Sequence, residues 1–155
     1  EAALQASELR FRKLFDDAES LAIQGYASDG TVRYWNKAST ALYGYSEAEA
    51  IGGRLYDLII PPEIRPMVER DVREMFENNH RIPSGRLLLM HKNGHRIPVF
   101  SSHTKVAAPG QPALLYCMDL DLSELEAAEG NVRKLSEAVA QNPNGILITD
   151  PGGLI

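Results

Sequence analysis

The pair Asn93-Gly94 constrains this chain more than any other feature of its sequence. It is the strongest short-range signal for a β-hairpin, and it separates two runs, 85–92 and 95–106, that read as strands. A chain that doubles back there is committed to antiparallel pairing. Pro109-Gly110 supplies another turn, so 112–121 is expected to return as a further strand. Near the start, 21–27 and 31–35 read as two short strands joined across Ser28-Asp29-Gly30, where Gly30 can take positive φ.

Helices fill the space between the two groups of strands. Asn36 can cap a short helix running to Tyr43, and Gly44 stops it. Ser46 and Glu49 have the spacing of a capping box for another, closed by Gly52-Gly53. Pro61-Pro62 opens a longer helix over 63–79, with an apolar stripe of Ile64, Met67 or Val68, Val72, Met75 and Phe76.

Both ends of the chain carry a different pattern. Leu4, Ser7, Phe11, Leu14 and Ala18 alternate spacings of three and four, as do Leu125, Ala128, Val132, Leu135 and Val139. That is the seam of a coiled coil. Ser123 and Glu126 form a second capping box at the start of the later helix, and Gly130 interrupts its seam at a cost of ~1 kcal/mol. The last residues repeat an earlier design. Moved back along the chain, Ile146 falls on Ile23, Gly153 on Gly30 and Ile155 on Val32.

Composition narrows the class of function. Hydrophobic residues at 44% and charged ones at 24% belong to a globular domain, and no apolar run approaches the ~20 residues of a membrane span. A net charge of −5 with scattered Arg and Lys argues against nucleic-acid binding. A lone cysteine, Cys117, allows no intrachain disulfide and suits a reducing, cytoplasmic setting. The chain opens on Glu1 and not on methionine, which fits a piece of a longer protein that is membrane-anchored elsewhere or not at all. No phosphate loop, nucleophile elbow or His-Glu-x-x-His motif is present, so the fragment is not expected to be an enzyme.

The run Gly30-Thr31-Val32-Arg33-Tyr34-Trp35-Asn36-Lys37-Ala38 continues through Leu42-Tyr43-Gly44-Tyr45-Ser46 to Glu49 and Ile51-Gly52. With these residues the layout resembles the PAS family over residues 9–126. Lys92-Asn93-Gly94 resembles the family's Lys-Asp-Gly turn, and Asp121-Leu122-Ser123-Glu124 its Asp-Ile-Thr-Glu exit. The resemblance implies an α+β fold: a five-stranded antiparallel sheet with short helices on one face, flanked by signalling helices. It divides the chain into a linker helix (1–18), a sensory domain (19–122), an exit helix (123–141) and the start of a second PAS repeat (142–155). It also implies a sensory input module whose output lies in a downstream histidine kinase, diguanylate cyclase or further PAS unit. Signal relay would then fall to Asp121, Ser123 and Glu126. A homodimer through the flanking helices or the sheet face would fit the seams, with no direct membrane contact by this fragment.

Cofactor expectations follow residue by residue. The blue-light branch of the family needs a cysteine for its covalent FMN adduct, and Leu55 stands at that place. The haem branch needs an axial histidine on the long helix, where Arg70 stands, and His80 comes only at the helix end. Both are argued against. Non-covalent FAD stays open, with Trp35 as a stacking platform or as plain packing. His91 and His95 bracket the hairpin turn and are read as solvated, without metal. On 95–106, Ile97, Val99, Ser101 and His103 share one face and Pro98, Phe100, Ser102 and Thr104 the other. If the first row faces inward, its Ser and His need partners that a small polar metabolite could supply; if Phe100 faces inward, they are solvated. A ligand would be lined by Trp35, Tyr43, Met75, Ser101, His103 and Cys117.

Overall fold

The computed structural model describes residues 2–141. Helix α1 (Ala2–Asp16) leads into strands β1 (Ala22–Tyr26) and β2 (Val32–Trp35). Three short helices follow, α2 (Lys37–Tyr43), α3 (Glu47–Ala50) and α4 (Leu55–Leu58), then a 3-10 turn (Pro62–Ile64) and α5 (Arg65–Asn78). Strands β3 (Gly85–Met90), β4 (Arg96–Val106) and β5 (Leu114–Asp121) complete one antiparallel sheet in the order β2-β1-β5-β4-β3. This is the α+β sheet-and-helix fold that the resemblance implied. A separate unit holds α6 (Ser123–Ala140), whose first turn carries Glu124 and Glu126. The repeat expected over 142–155 lies outside the described residues.

Local chemistry explains the elements. The Asn36 side chain accepts from Ser39 N–H at the start of α2, and Gly44 ends that helix with φ 86°. The Ser46–Glu49 capping box is formed in both directions. At the β3–β4 hairpin the turn is one residue longer than a two-residue reading of Asn93-Gly94 allows. His91 N–H donates to His95 O, and Gly94 alone crosses to positive φ. A three-residue turn ending in a left-handed glycine satisfies the same pattern. Helix α4 was not anticipated: Leu55 N–H donates to Gly30 O, so the first hairpin holds that turn from outside.

One core joins the sheet to the helices. Ala22, Tyr26, Val99, Leu115 and Cys117 from the strands pack with Tyr43, Leu55, Ile59, Val72 and Met75. On α5 the choice between Met67 and Val68 resolves in favour of Val68, which packs against the core, while Met67 stays 38% exposed. On the other side of the sheet, Phe15 of α1 lies against Tyr34 and Tyr116 at 5.9 and 6.2 Å between ring centres. Gly25 pairs with both tyrosines, and any Cβ there would stand 3.0 Å from the Tyr116 ring.

Candidate functional site

The alternation of β4 settles which row faces inward. Ile97, Val99 and Ser101 are buried, whereas Phe100 is 44% exposed. Antiparallel pairing then places Ser101 beside Asp119 and His103 beside Cys117 on β5. Gln24 and Tyr26 on β1 extend the same inner surface. Opposite stand Val68, Asp71 and Val72 of α5, and the segment Ile82–Gly85 closes one side. A cavity of about 250 Å³ remains between these walls.

Most of its lining is aliphatic, including Leu55, Ile59, Ile60, Leu87, Leu89 and Leu115. Its polar end is a hydrogen-bonded cluster. Asp119, sealed from solvent, accepts from the Tyr43 hydroxyl at 2.6 Å on Oδ2 and from the Ser101 hydroxyl at 2.6 Å on Oδ1. Ser101 Oγ lies 3.2 Å from His103 Nε2. Gln24 donates to Ser39 and accepts from the Tyr26 hydroxyl at 3.3 Å. His103 Nδ1 is buried and has no hydrogen-bond partner of acceptable geometry.

The electrostatics follow from burial. Desolvation raises the Asp119 carboxyl above its ordinary value, opposed by hydrogen bonds from Ser101, Tyr43 and Gln24. Burial, aided by the Asp119 charge, pushes the Cys117 thiol well up, which leaves it protonated and a poor nucleophile. Burial lowers His103, with Asp71 and the Pro83 backbone pulling the other way.

Of the six residues expected to line a ligand, the cavity takes Ser101, His103 and Cys117. Trp35, Tyr43 and Met75 are buried in the core but do not line it. Trp35 Nε1 donates to Thr40 Oγ1 and Tyr45 O, each at 3.1 Å, and its ring packs against Tyr43 and Tyr45. That side of the domain is packing, and Tyr43 reaches the site only through Asp119. Asp119 itself was missed, although it follows Leu115 and Cys117 in the two-residue period of β5. Asp121 ends β5, and Ser123 and Glu126 sit in the first turn of α6.

The cavity's size bears on the cofactors. An engineered ~150 Å³ cavity takes benzene, so about 250 Å³ accommodates about ten heavy atoms. An FAD or a porphyrin has several times that many heavy atoms and would have to extend beyond that space, and α5 carries no histidine. The lining is also more apolar than a polar metabolite requires. His91 and His95 stack at 4.5 Å, with His91 Nδ1 accepting from Asn93 N–H. Among the described residues no three His, Cys, Asp or Glu groups gather as metal ligands, and no helix is long and apolar enough to cross a membrane.

Comparison with known proteins agrees with this architecture. A family model described as "PAS fold" matches residues 22–127. The oxygen sensor protein DosP of Escherichia coli is 29% identical over 123 residues, 77% of this chain. The chain spans only 15% of that protein's length. A PAS domain from Colwellia psychrerythraea superposes with a TM-score of 0.64 at 25% identity, covering 76% of this chain and 98% of that one. The PAS domain of the RpfR quorum-sensing receptor from Cronobacter turicensis, in complex with C12:0, gives a TM-score of 0.56 at 19% identity, covering 66% of this chain and 94% of that one.

Proposed function

The chain belongs to the PAS fold family, whose members are generally non-catalytic sensory modules, and we propose that it senses a small, largely apolar molecule held between the sheet and α5. The observation that carries this reading is the cavity of about 250 Å³, aliphatic on most sides and ending in the Asp119–Ser101–His103 cluster. The RpfR neighbour, a PAS domain in complex with C12:0, supports a small-molecule role for this fold. DosP, named an oxygen sensor, keeps a sensing role in view among relatives. Relay would run from β5 through Asp121, Ser123 and Glu126 into α6, toward a kinase or cyclase output farther along the same protein. A reducing, cytoplasmic setting suits the single buried cysteine.

The test is direct. Freshly purified protein is scanned in the ultraviolet–visible range and then denatured, and released small molecules are identified by mass spectrometry. One apolar compound released in stoichiometric amount supports the reading. A flavin or haem spectrum would replace it with a redox or gas sensor. Protein that releases nothing and binds no apolar probe would sink it.

A second reading is a ligand-free dimerising spacer. The seams of both flanking helices favour pairing: Phe11 and Leu14 on α1, and Leu125, Val132 and Leu135 on α6, are all exposed. Such apolar stripes are stable when buried against a second copy. Light scattering on the chain and on a Val132→Ser/Leu135→Ser variant reads this out. A dimer that the double variant dissociates supports pairing through α6, and a monomer at high concentration counts against the spacer.

A further inference from the structure

The polar end of the cavity constrains the ligand's head group, if the cavity is a ligand site as argued above. Two hydroxyls are directed at the same carboxylate, and Ser101 has only one hydrogen to give. With that hydrogen on Asp119 Oδ1, Ser101 Oγ can only accept from His103 Nε2. With Asp119 ionised, the proton of the neutral imidazole is on Nε2 and Nδ1 presents a lone pair, to which the Pro83 backbone beside the ring makes no hydrogen bond of acceptable geometry. Burial favours the neutral ring, since it lowers the affinity of His103 for a second proton. Nδ1 is buried and unpartnered, and a buried acceptor left without a donor is destabilising.

The charges around the cavity point the same way. Asp119 stands behind Ser101 on β5, Asp71 faces in from α5, and Arg86 on β3 is the only cation in the lining. Arg86 is itself exposed, whereas Ser101 and Asp119 at the deep end are buried. An anionic head seated at that deep end would meet a carboxylate and a lone pair.

We infer that the site takes an apolar molecule of about ten heavy atoms whose polar head is a neutral hydrogen-bond donor, a hydroxyl or N–H group, given to His103 Nδ1. A carboxylate of the same body is disfavoured.

Three probes with one apolar body test this by isothermal titration calorimetry: para-propylphenol (a donor), para-propylanisole (the same oxygen without its hydrogen) and para-propylbenzoate (an anion). The phenol should bind about tenfold more tightly than the anisole, the worth of one hydrogen bond in a dry site, and the benzoate least tightly of all. In His103→Leu the phenol and the anisole should bind alike. The ranking in the unaltered chain decides the matter even if that variant folds poorly. Equal affinity for phenol and anisole there would overturn the head-group inference and leave the cavity reading intact. Tightest binding of the benzoate would seat the head on Arg86 and overturn it too. Failure of all three probes to bind would refute the ligand site itself.

Discussion

Replacing Tyr43 with Phe removes one hydroxyl from a buried carboxylate and leaves the ring in place. That hydroxyl reaches Asp119 Oδ2 at 2.6 Å, with both residues sealed from solvent. A hydrogen bond to a charged partner contributes about 1.5–3 kcal/mol and a neutral one about 0.5–1.5 kcal/mol. Tyr43→Phe should therefore cost about 2 kcal/mol near pH 7, but only about 1 kcal/mol in an Asp119→Asn background. The direction of the pH dependence follows from the raised carboxyl of Asp119. Its folded pKa lies above the unfolded value of about 3.9, so the native state holds the proton longer. The stability this gives is fully present below about pH 4 and is lost as pH rises through the folded pKa. Removing the Tyr43 donor lifts the folded pKa further. The deficit of Tyr43→Phe should then shrink toward acid and grow toward neutrality. Urea unfolding followed by circular dichroism across that pH range measures both effects. An equal cost in the two backgrounds, or a deficit that grows toward acid, would refute an ionised Asp119 at the centre of the cluster.

Other consequences are sharper in sign than in size. Asn36 accepts from Ile23 N–H and Ser39 N–H and donates to Phe15 O and Leu21 O, so Asn36→Ala should cost about 3 kcal/mol or more in thermal or urea unfolding. Gly44 and Gly52 share φ 86°, but a Cβ at Gly44 would stand 2.5 Å from the His91 ring whereas one at Gly52 meets nothing. Gly52→Ala should lose about 1 kcal/mol from backbone strain alone. Gly44→Ala should lose about 1–3 kcal/mol more, and His91→Ala should restore most of that excess in a double-mutant cycle. Cys117 should resist thiol reagents in the folded state and react only at the rate of unfolding, which a colorimetric thiol assay with and without urea would reveal.

The fold was legible because its punctuation is local. Asn36 as a cap, Gly44, Ser46 with Glu49, and Gly94 each start, stop or turn the chain within a few residues, and each sits where its chemistry places it, although Asn36 also bonds to Phe15, Leu21 and Ile23. The inward row of β4 was legible only as a choice, since period-two alternation gives two faces without saying which is covered. Helix α4 escaped notice because its first turn is held by Gly30, distant along the chain. The site divided in the same way. Ser101 and His103 were readable from strand periodicity as one of two faces and Cys117 as a residue of the last strand, and Asp119 follows from the same period of two along β5. Trp35 was legible only as a choice between stacking platform and packing, and Tyr43 only as a candidate lining residue, because an aromatic side chain at a strand or helix end can serve a ligand or a core equally well. Their hydrogen-bond partners, Thr40, Tyr45 and Asp119, decide for the core.

The position of β5 limits how the domain could answer a ligand in the proposed site. This strand carries Leu115, Cys117 and Asp119 into the cavity wall, and α6 begins two residues after it ends. It is also paired on both flanks, to β1 over Ala22–Tyr26 and to β4 over its full length. Sliding it along its axis would break two ladders at once, and a one-residue slip would turn Asp119 out of the core. Translation is thus closed to it. Torsion, a change in the coil of the sheet, is the motion that leaves both ladders paired, as a twisted ribbon keeps its threads together.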